Sequence, residues 1–482
     1  MIHVHGTVKS NGQNFSNALA EKRKRMKLIF PLLCIGALME PGAPYRPYIH
    51  PFSLVSCNQL TSSVEIDGNE TTLPGVIEVN ANLVNGSKGA WWDEEEQVQP
   101  NRSKRRYLSS LQAALGTSWF SRWMSREGSG ATVLSPPYLH MVLASLLLGA
   151  DGSTADKFHD VLGLSDSSCG EIRDSQRSQD MHQQFRLLLR DILSHQRGSL
   201  STGTWMIFQE GLRLRHSFVQ SLRRFYPEVQ LGSANFSQPR VVEESINSLV
   251  HRASGGRLHN LVAGLVTPRT NLLVASFIHF KGRWKTRSQC HGTELQDFFN
   301  DAGDKVKVPM TIWCGQLQYK TAPEYTMIKL PLSETMYVML IQPVRPAKMK
   351  KFERTLTTDR ILGDSQTGFV KLVMPRFVWE GTYNVKELFS QDPDMLGGQA
   401  NFSRISSAQR LVPEQVIQSI IFEVMEDERE QVIAEDLSVT NTTTEIRIDK
   451  PFFFRVYDGT LEMLLFLGRV KKLPLKSELN IF

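Results

Sequence analysis

Apolar residues change their spacing along this chain, and that change limits the folds open to it. After Ser109 they first recur at helical intervals: Leu139, Val142, Leu143, Leu146 and Leu147, then Phe185, Leu188, Leu189, Ile192 and Leu193, then Val242, Ile246, Leu249 and Val250. Gly149 supplies a stop after the first set. Strand-length runs dominate farther on. Leu272 to Phe280 is mostly apolar, Tyr337 to Ile341 is followed closely by Pro343, and Val370, Leu372 and Met374 alternate before Pro375. Phe452–Phe454 and Leu464–Leu467 come last. Helices clustered early and strands late predict an α+β fold rather than alternating α/β. No Pro/Gly-rich linker interrupts residues 109–482, which read as one large domain.

The front end reads differently. Lys22-Arg23-Lys24-Arg25-Met26-Lys27 precedes the apolar run Leu28–Met39. A basic segment before a short apolar run is the pattern of a secretory signal peptide. The run falls short of the roughly 20 residues that a helix needs to span a bilayer, although a signal anchor or buried helix has the same composition. Met26 is read as the working initiator, and residues 1–43 as an upstream extension plus signal. Cleavage after Gly36, Ala37 or Ala43 fits, and no A-x-A pattern chooses among them. These features predict a secreted, extracellular protein.

Residues 44–108 form a second zone without sustained periodicity. It is rich in Asn, Ser, Thr, Gly and Pro, with the acidic run Asp93–Glu96 and the basic run Lys104–Arg106. Such composition predicts a mobile tail. Arg102–Arg106 is read first as a solvated charge run, with a processing site or a sulfated-polysaccharide patch as alternatives. N-x-[ST] sequons at Asn69, Asn85, Asn101, Asn235, Asn401 and Asn441 predict N-glycosylation and agree with secretion. Asn14-Phe15-Ser16 also matches but precedes the signal.

Charge excludes one class of partner. The chain of 482 residues carries 55 Lys+Arg against 49 Asp+Glu, a net charge of +6. Most of the excess lies in the first 43 residues, leaving too little to imply nucleic acid. No G-x-S-x-G, Walker A, H-E-x-x-H or paired C-x-x-C occurs, and the 12 His show no metal-ligand spacing. The chain is therefore read as not an enzyme, with no cofactor, no metal and no membrane partner.

The body resembles the serpin family over about 370 residues from Ser109. Val133–Pro136 with Leu148–Thr154 resembles that family's B helix and Gly-rich turn. Asn235-Phe236-Ser237, Ile246–Val250 and Gly256–Leu258 resemble the block around its F helix. Phe280-Lys281-Gly282-Arg283-Trp284 is similar to F-K-G-x-W. Val308–Met310, Lys329–Pro331, Met374–Phe377, Lys450–Phe454 and Phe466–Val470 follow in the family's order. The resemblance implies a serpin fold of three β-sheets with about nine helices. It also implies a reactive loop that, in inhibitors, inserts into the central sheet after cleavage. The inhibitory hinge reads roughly E-E-G-T-E-A-A-A-A. The aligned stretch Glu426–Ala434 departs from it: Glu428 removes the Gly, Arg429 stands at the first inward position, and Val432 and Ile433 replace Ala. Burying an unpaired guanidinium in a sheet costs several kcal/mol. A non-inhibitory body is expected. The alternatives are an inhibitory or polysaccharide-binding serpin and a small-molecule carrier.

The tail carries a second resemblance. Tyr45-Arg46-Pro47-Tyr48-Ile49-His50-Pro51-Phe52-Ser53-Leu54 is similar to the angiotensin decapeptide hormones. That implies cleavage of Leu54–Val55 by renin, an aspartic protease. A dipeptidase would then trim Ser53-Leu54 to leave the octapeptide Tyr45–Phe52, which acts on angiotensin receptors to control blood pressure and salt-water balance. Pro47 and Pro51 restrict φ and bias the segment away from helix, which lowers the cost of ordering it in an extended protease cleft. Tyr45, Pro47 and Ser53 depart from the usual residues.

Of the five Cys, Cys34 leaves with the signal. Cys57, Cys169, Cys290 and Cys314 allow three full pairings. The resemblance implies Cys57–Cys169, tying tail to body, with Cys290 and Cys314 left free and shielded. Closing a loop of roughly 110 residues would stabilise by at most about 4.7 kcal/mol.

Overall fold

The computed structural model describes residues 70–72, 102–124, 131–164, 171–195, 199–284, 290–300, 303–332, 335–345, 364–376, 378–407, 410–425 and 444–473. In chain order the helices among them are α1 Arg102–Met124, α2 Pro136–Leu147, α3 Ser153–Val161, α4 Glu171–His195, α5 His216–Phe225, α6 Pro239–Ala253, α7 Val385–Leu388 and α8 Pro393–Leu396. The strands are β1 Glu70–Thr72, β2 Ala131–Leu134, β3 Leu200–Gln209, β4 Arg213–Arg215, β5 Val229–Ala234, β6 Leu272–Arg283, β7 His291–Phe299 and β8 Lys305–Thr321. They continue as β9 Tyr325–Pro331, β10 Met336–Pro343, β11 Gln366–Pro375, β12 Val378–Asn384, β13 Pro413–Met425, β14 Thr444–Arg447, β15 Phe452–Asp458 and β16 Met463–Val470.

The three helical repeats read from the sequence fall on α2, α4 and α6, and the late apolar runs on β6, β10, β11, β15 and β16. α2 is buried along its whole length, as its near-continuous apolar sequence requires. Gly149 does more than end it. A Cβ there would collide with Cγ1 of Ile405, so the residue admits the 401–405 loop against the helix end.

The strands form a five-stranded sheet in the order β12-β13-β6-β3-β5, a nine-stranded array and a two-stranded ribbon, β1-β4. β8 explains the large array. It pairs with β7 and β11 over most of its length and with β9 at its C-terminal end, so neighbouring groups of strands share it. The main core fills the space between sheets and helices. A second apolar cluster lies where Val242, Ile246, Leu249 and Val250 of α6 meet Ile207, Ala275, Phe277, Ile417 and Ile421.

The stretch read as tail differs from expectation in two places. Glu70, Thr71 and Thr72 pair antiparallel with Arg215, Leu214 and Arg213. α1 begins at Arg102, so the basic run lies in its first turns rather than in an irregular segment. Half-buried Arg105 bonds Asp191 of α4 at 2.8 Å, and exposed Arg106 reaches Glu462 at 2.8 Å. Leu108, Ser109 and Gln112 are buried behind them. Composition shows the charges but not the distant acceptors that seat them.

Buried histidines hold the α1–α2–α4 layer together. His140 meets Gln112, and His182 Nδ1 lies 2.6 Å from the Tyr226 hydroxyl. Burial pushes both imidazoles down to about 3, helped for His140 by neighbouring His182. The unfolded chain takes up protons near pH 6.5 and the folded chain only near 3, so stability is full above pH 6.5 and falls as pH drops toward 3. Each histidine contributes a slope of at most about 1.4 kcal/mol per pH unit. Urea unfolding at pH 7, 6, 5 and 4 should show this decline. His182→Gln, which retains a hydrogen-bonding group beside Tyr226, should flatten it by one histidine's share.

Candidate functional site: the parallel seam and the loop it feeds

β6 and β13 run parallel at the centre of the five-stranded sheet. Their register extends from Leu272↔Pro413 to Arg283↔Met425. β6 is antiparallel to β3, and β13 to β12. A strand can pair antiparallel with both sides only between parallel strands; the sheet has two such pairs, β6–β13 inside it and β3–β5 at its edge. In this structure β6 and β13 bond each other directly, so the seam is closed.

Polar rungs cross the seam at mid-length. Gln418 Nε2 donates to Ser276 Oγ at 3.2 Å, and Ser276 Oγ donates to the Ile417 carbonyl at 3.4 Å. The Tyr383 hydroxyl on β12 donates to Gln418 Oε1, and Thr382 Oγ1 donates to Ser419 Oγ at 3.0 Å. Burial raises the Tyr383 phenol well above its ordinary value, keeping it a donor. Toward Met425 the face opposite α6 is aromatic. Phe280 stacks on Phe422 at 5.1 Å, and Trp379, Phe454 and Phe466 surround Phe422. The face under α6 carries charge: Glu423, nearly fully buried, lies 3.2 Å from Arg257 and 3.3 Å from His279. Burial lowers the His279 pKa, opposed by Glu423 and reinforced by Arg257.

β13 ends at Met425, and the chain re-enters the described residues at β14, which pairs parallel with β11. The two ends of residues 426–443 thus lie at the end of one sheet and at an edge of the other. The hinge residues Glu428, Arg429, Val432 and Ile433 lie outside the described residues. So do the peptide Tyr45–Leu54 with Val55, the cysteines Cys57 and Cys169, and the sequons at Asn69, Asn85, Asn101 and Asn441.

Two sequons are described, and both are exposed. At each, the Asn side-chain oxygen accepts from the backbone N–H two residues on, Ser237 at 3.1 Å and Ser403 at 3.0 Å. The intervening Phe236 and Phe402 are buried. Each loop is thus pinned by its Phe and presents its Asn to solvent.

The cysteine expectation needs correction. Cys290 and Cys314 are not free; they form a disulfide, with Cα atoms 5.1 Å apart. They extend the β7–β8 register by one pair beyond His291↔Trp313. Sequence separation does not reveal a cross-strand pair when the register of the hairpin is unknown. The seam residues Ser276, Gln418, Glu423 and Arg257 were also missed. Each is an ordinary polar residue until β6, β13 and the turn after α6 come together, although Glu423 amid the apolar run Ile420–Val424 was a signal. Replacing both Cys290 and Cys314 by Ser should cost about 3 kcal/mol by loop entropy, measured as a lower urea midpoint than that of the unreduced parent.

Among the described residues no group of His, Cys, Asp and Glu is placed to hold a metal ion, and no helix is long and apolar enough to cross a membrane.

The family profile described as "Serpin (serine protease inhibitor)" matches residues 110–473. The chain is 28% identical to angiotensinogen of Homo sapiens over 467 residues, covering 91% of this chain and 96% of that one. With angiotensinogen of Ovis aries it shares 28% identity, covering 93% and 98%. Among solved structures, mouse protein-Z dependent protease inhibitor superposes with a TM-score of 0.68 at 22% identity, covering 77% of this chain and 99% of that one. Native protease nexin-1 with heparin gives 0.67 at 21%, covering 77% and 100%.

Proposed function

We propose that this chain, which belongs to the serpin family, is a secreted angiotensin-type hormone precursor whose body presents a cleavable N-terminal tail. The observation that carries this reading is the peptide Tyr45–Leu54 placed between a signal-like segment and a serpin body. The similarity to angiotensinogens supports it. That similarity covers 91% of the chain, more than the body holds, so it extends into the segment bearing the peptide.

Renin supplies the chemistry. An aspartic protease binds an extended strand and hydrolyses it with a carboxylate pair that shares a proton. This chain supplies the strand: Phe52, Leu54 and Val55 offer apolar side chains around the scissile Leu54–Val55 bond, and Pro47 and Pro51 keep the segment extended. Downstream, Glu70–Thr72 pairs with β4 and gives the tail a point of attachment to the body. Cys57–Cys169 would add a second tie. The released decapeptide is trimmed to Tyr45–Phe52 and acts on angiotensin receptors.

The body does not act as an inhibitor. A loop led by Glu428 and Arg429, with Val432 and Ile433 following, would have to carry a guanidinium into the closed β6–β13 seam. Cleavage between Glu435 and Glu445 should therefore leave the thermal midpoint nearly unchanged and give no detergent-stable protease complex. The variant Glu428→Gly, Arg429→Thr, Val432→Ala, Ile433→Ala should gain a large upward shift on the same cleavage, measured by differential scanning fluorimetry.

Renin of the same species, incubated with the secreted protein, should release a peptide ending at Leu54 and leave a body beginning at Val55, both identified by mass spectrometry. Recovery of uncut protein still bearing Ile49 and Phe52 after exhaustive digestion would overturn the reading. Enzymatic glycan removal should convert Asn235 and Asn401 to Asp in the secreted product, detected by peptide mapping.

A further inference from the structure

The seam between β6 and β13 is covered on one face by α6 and the turn that follows it. α6 lays Val242, Ile246, Leu249 and Val250 across residues of β3, β6 and β13 together. Its chain then reverses through Gly255 and Gly256, both at positive φ of 66° and 83°, where a side chain would be strained. The reversal is held by backbone bonds from Gly255 to Arg252 and from Gly256 to His251, and by the Ser254 hydroxyl accepting from Leu258 N–H. The next residue, Arg257, is delivered to β13.

There it meets one carboxylate. Glu423 on β13 accepts from Arg257 Nη2 at 3.2 Å through Oε2, while Oε1 lies 3.3 Å from His279 Nε2 on β6. Glu423 is 2% exposed. The His279 contact joins β6 to β13 across the seam, and the Arg257 contact ties the turn after α6 to β13. The surrounding charge comes from every adjacent element: Lys281 on β6 stands opposite Glu423, His259 follows Arg257, and Glu380 on β12 pairs in register with Ile421. Removing the carboxylate leaves Arg257 without its acceptor and takes away the negative charge 3.3 Å from His279.

We infer that Glu423 is a latch, a single buried carboxylate that holds β6, β13 and the α6 turn together and keeps this end of the seam closed. The physical basis is asymmetric burial. A strand separating β6 from β13 at this end must strip Glu423 from both partners while its carboxylate is still out of water, and an unpaired buried charge is far costlier than a paired one. At the Pro413 end of the seam the corresponding acidic residue, Glu414, is exposed to solvent and imposes no such cost. The seam therefore opens more easily from the Pro413–Leu272 end than from the end that leads into the reactive loop. This device resists entry of any strand and acts independently of the tail's processing by a protease.

Hydrogen–deuterium exchange read by mass spectrometry on the full secreted chain tests it. Glu423→Gln should accelerate exchange of amides in 279–283 and 421–425 by at least tenfold. Exchange in 272–275 and 413–417 should stay within twofold, and Glu414→Gln should change neither end. Arg257→Ala, on a part-exposed side chain, is the second variant should Glu423→Gln not be secreted, and it should accelerate the same two segments. Unchanged exchange at 279–283 and 421–425 in the variants that fold, or uniform acceleration at both ends, would overturn the inference. Renin cleavage is not part of the readout, so loss of the hormone reading would leave this test intact.

Discussion

The five-stranded sheet turns on its interior parallel pairing: two parallel strands, β6 and β13, each with an antiparallel neighbour on its other side. Such a pair satisfies its backbone groups without a third strand, yet its directions also suit an antiparallel strand between them. The molecule stabilises the closed state from side chains. Mid-seam it uses Ser276, Gln418 and Tyr383; on one face it uses the Phe280–Phe422 stack; on the other it uses α6 and Glu423. Buried polar groups of this kind stabilise only when fully partnered, which makes the closed register specific.

The same logic governs the boundary between tail and body. α1 would be a poor helix on its own amphipathicity. It is seated because Leu108, Trp119, Phe120 and Met124 find the core while Arg105 and Arg106 find Asp191 and Glu462 on distant elements. The small β1–β4 ribbon adds a backbone attachment farther upstream. Attachment of the upstream segment and closure of the five-stranded sheet are made at different places in the chain.

Much of this was legible before any coordinates. The order of helical and strand-length runs predicted α+β, and α2, α4, α6, β6, β10 and β11 stand where their patterns put them. Period and length suffice there because burial of one face or of a whole strand is a local demand on the sequence. The motifs in family order carried the serpin fold, and the matched profile agrees. What was missed shares one cause. The Cys290–Cys314 bond, the seating of Arg105 and Arg106, and the partners of Glu423 all join residues far apart in register or in chain.

The sequence by itself determined the class of fold, the residue types at the hinge positions and the place of the segment that resembles the hormone, since each is written in side-chain type and near-neighbour spacing. Only the tertiary structure decided which cysteines meet, which charges are buried and that β6 and β13 close directly on each other. Those outcomes depend on register and on the local dielectric, and neither exists until distant segments have packed.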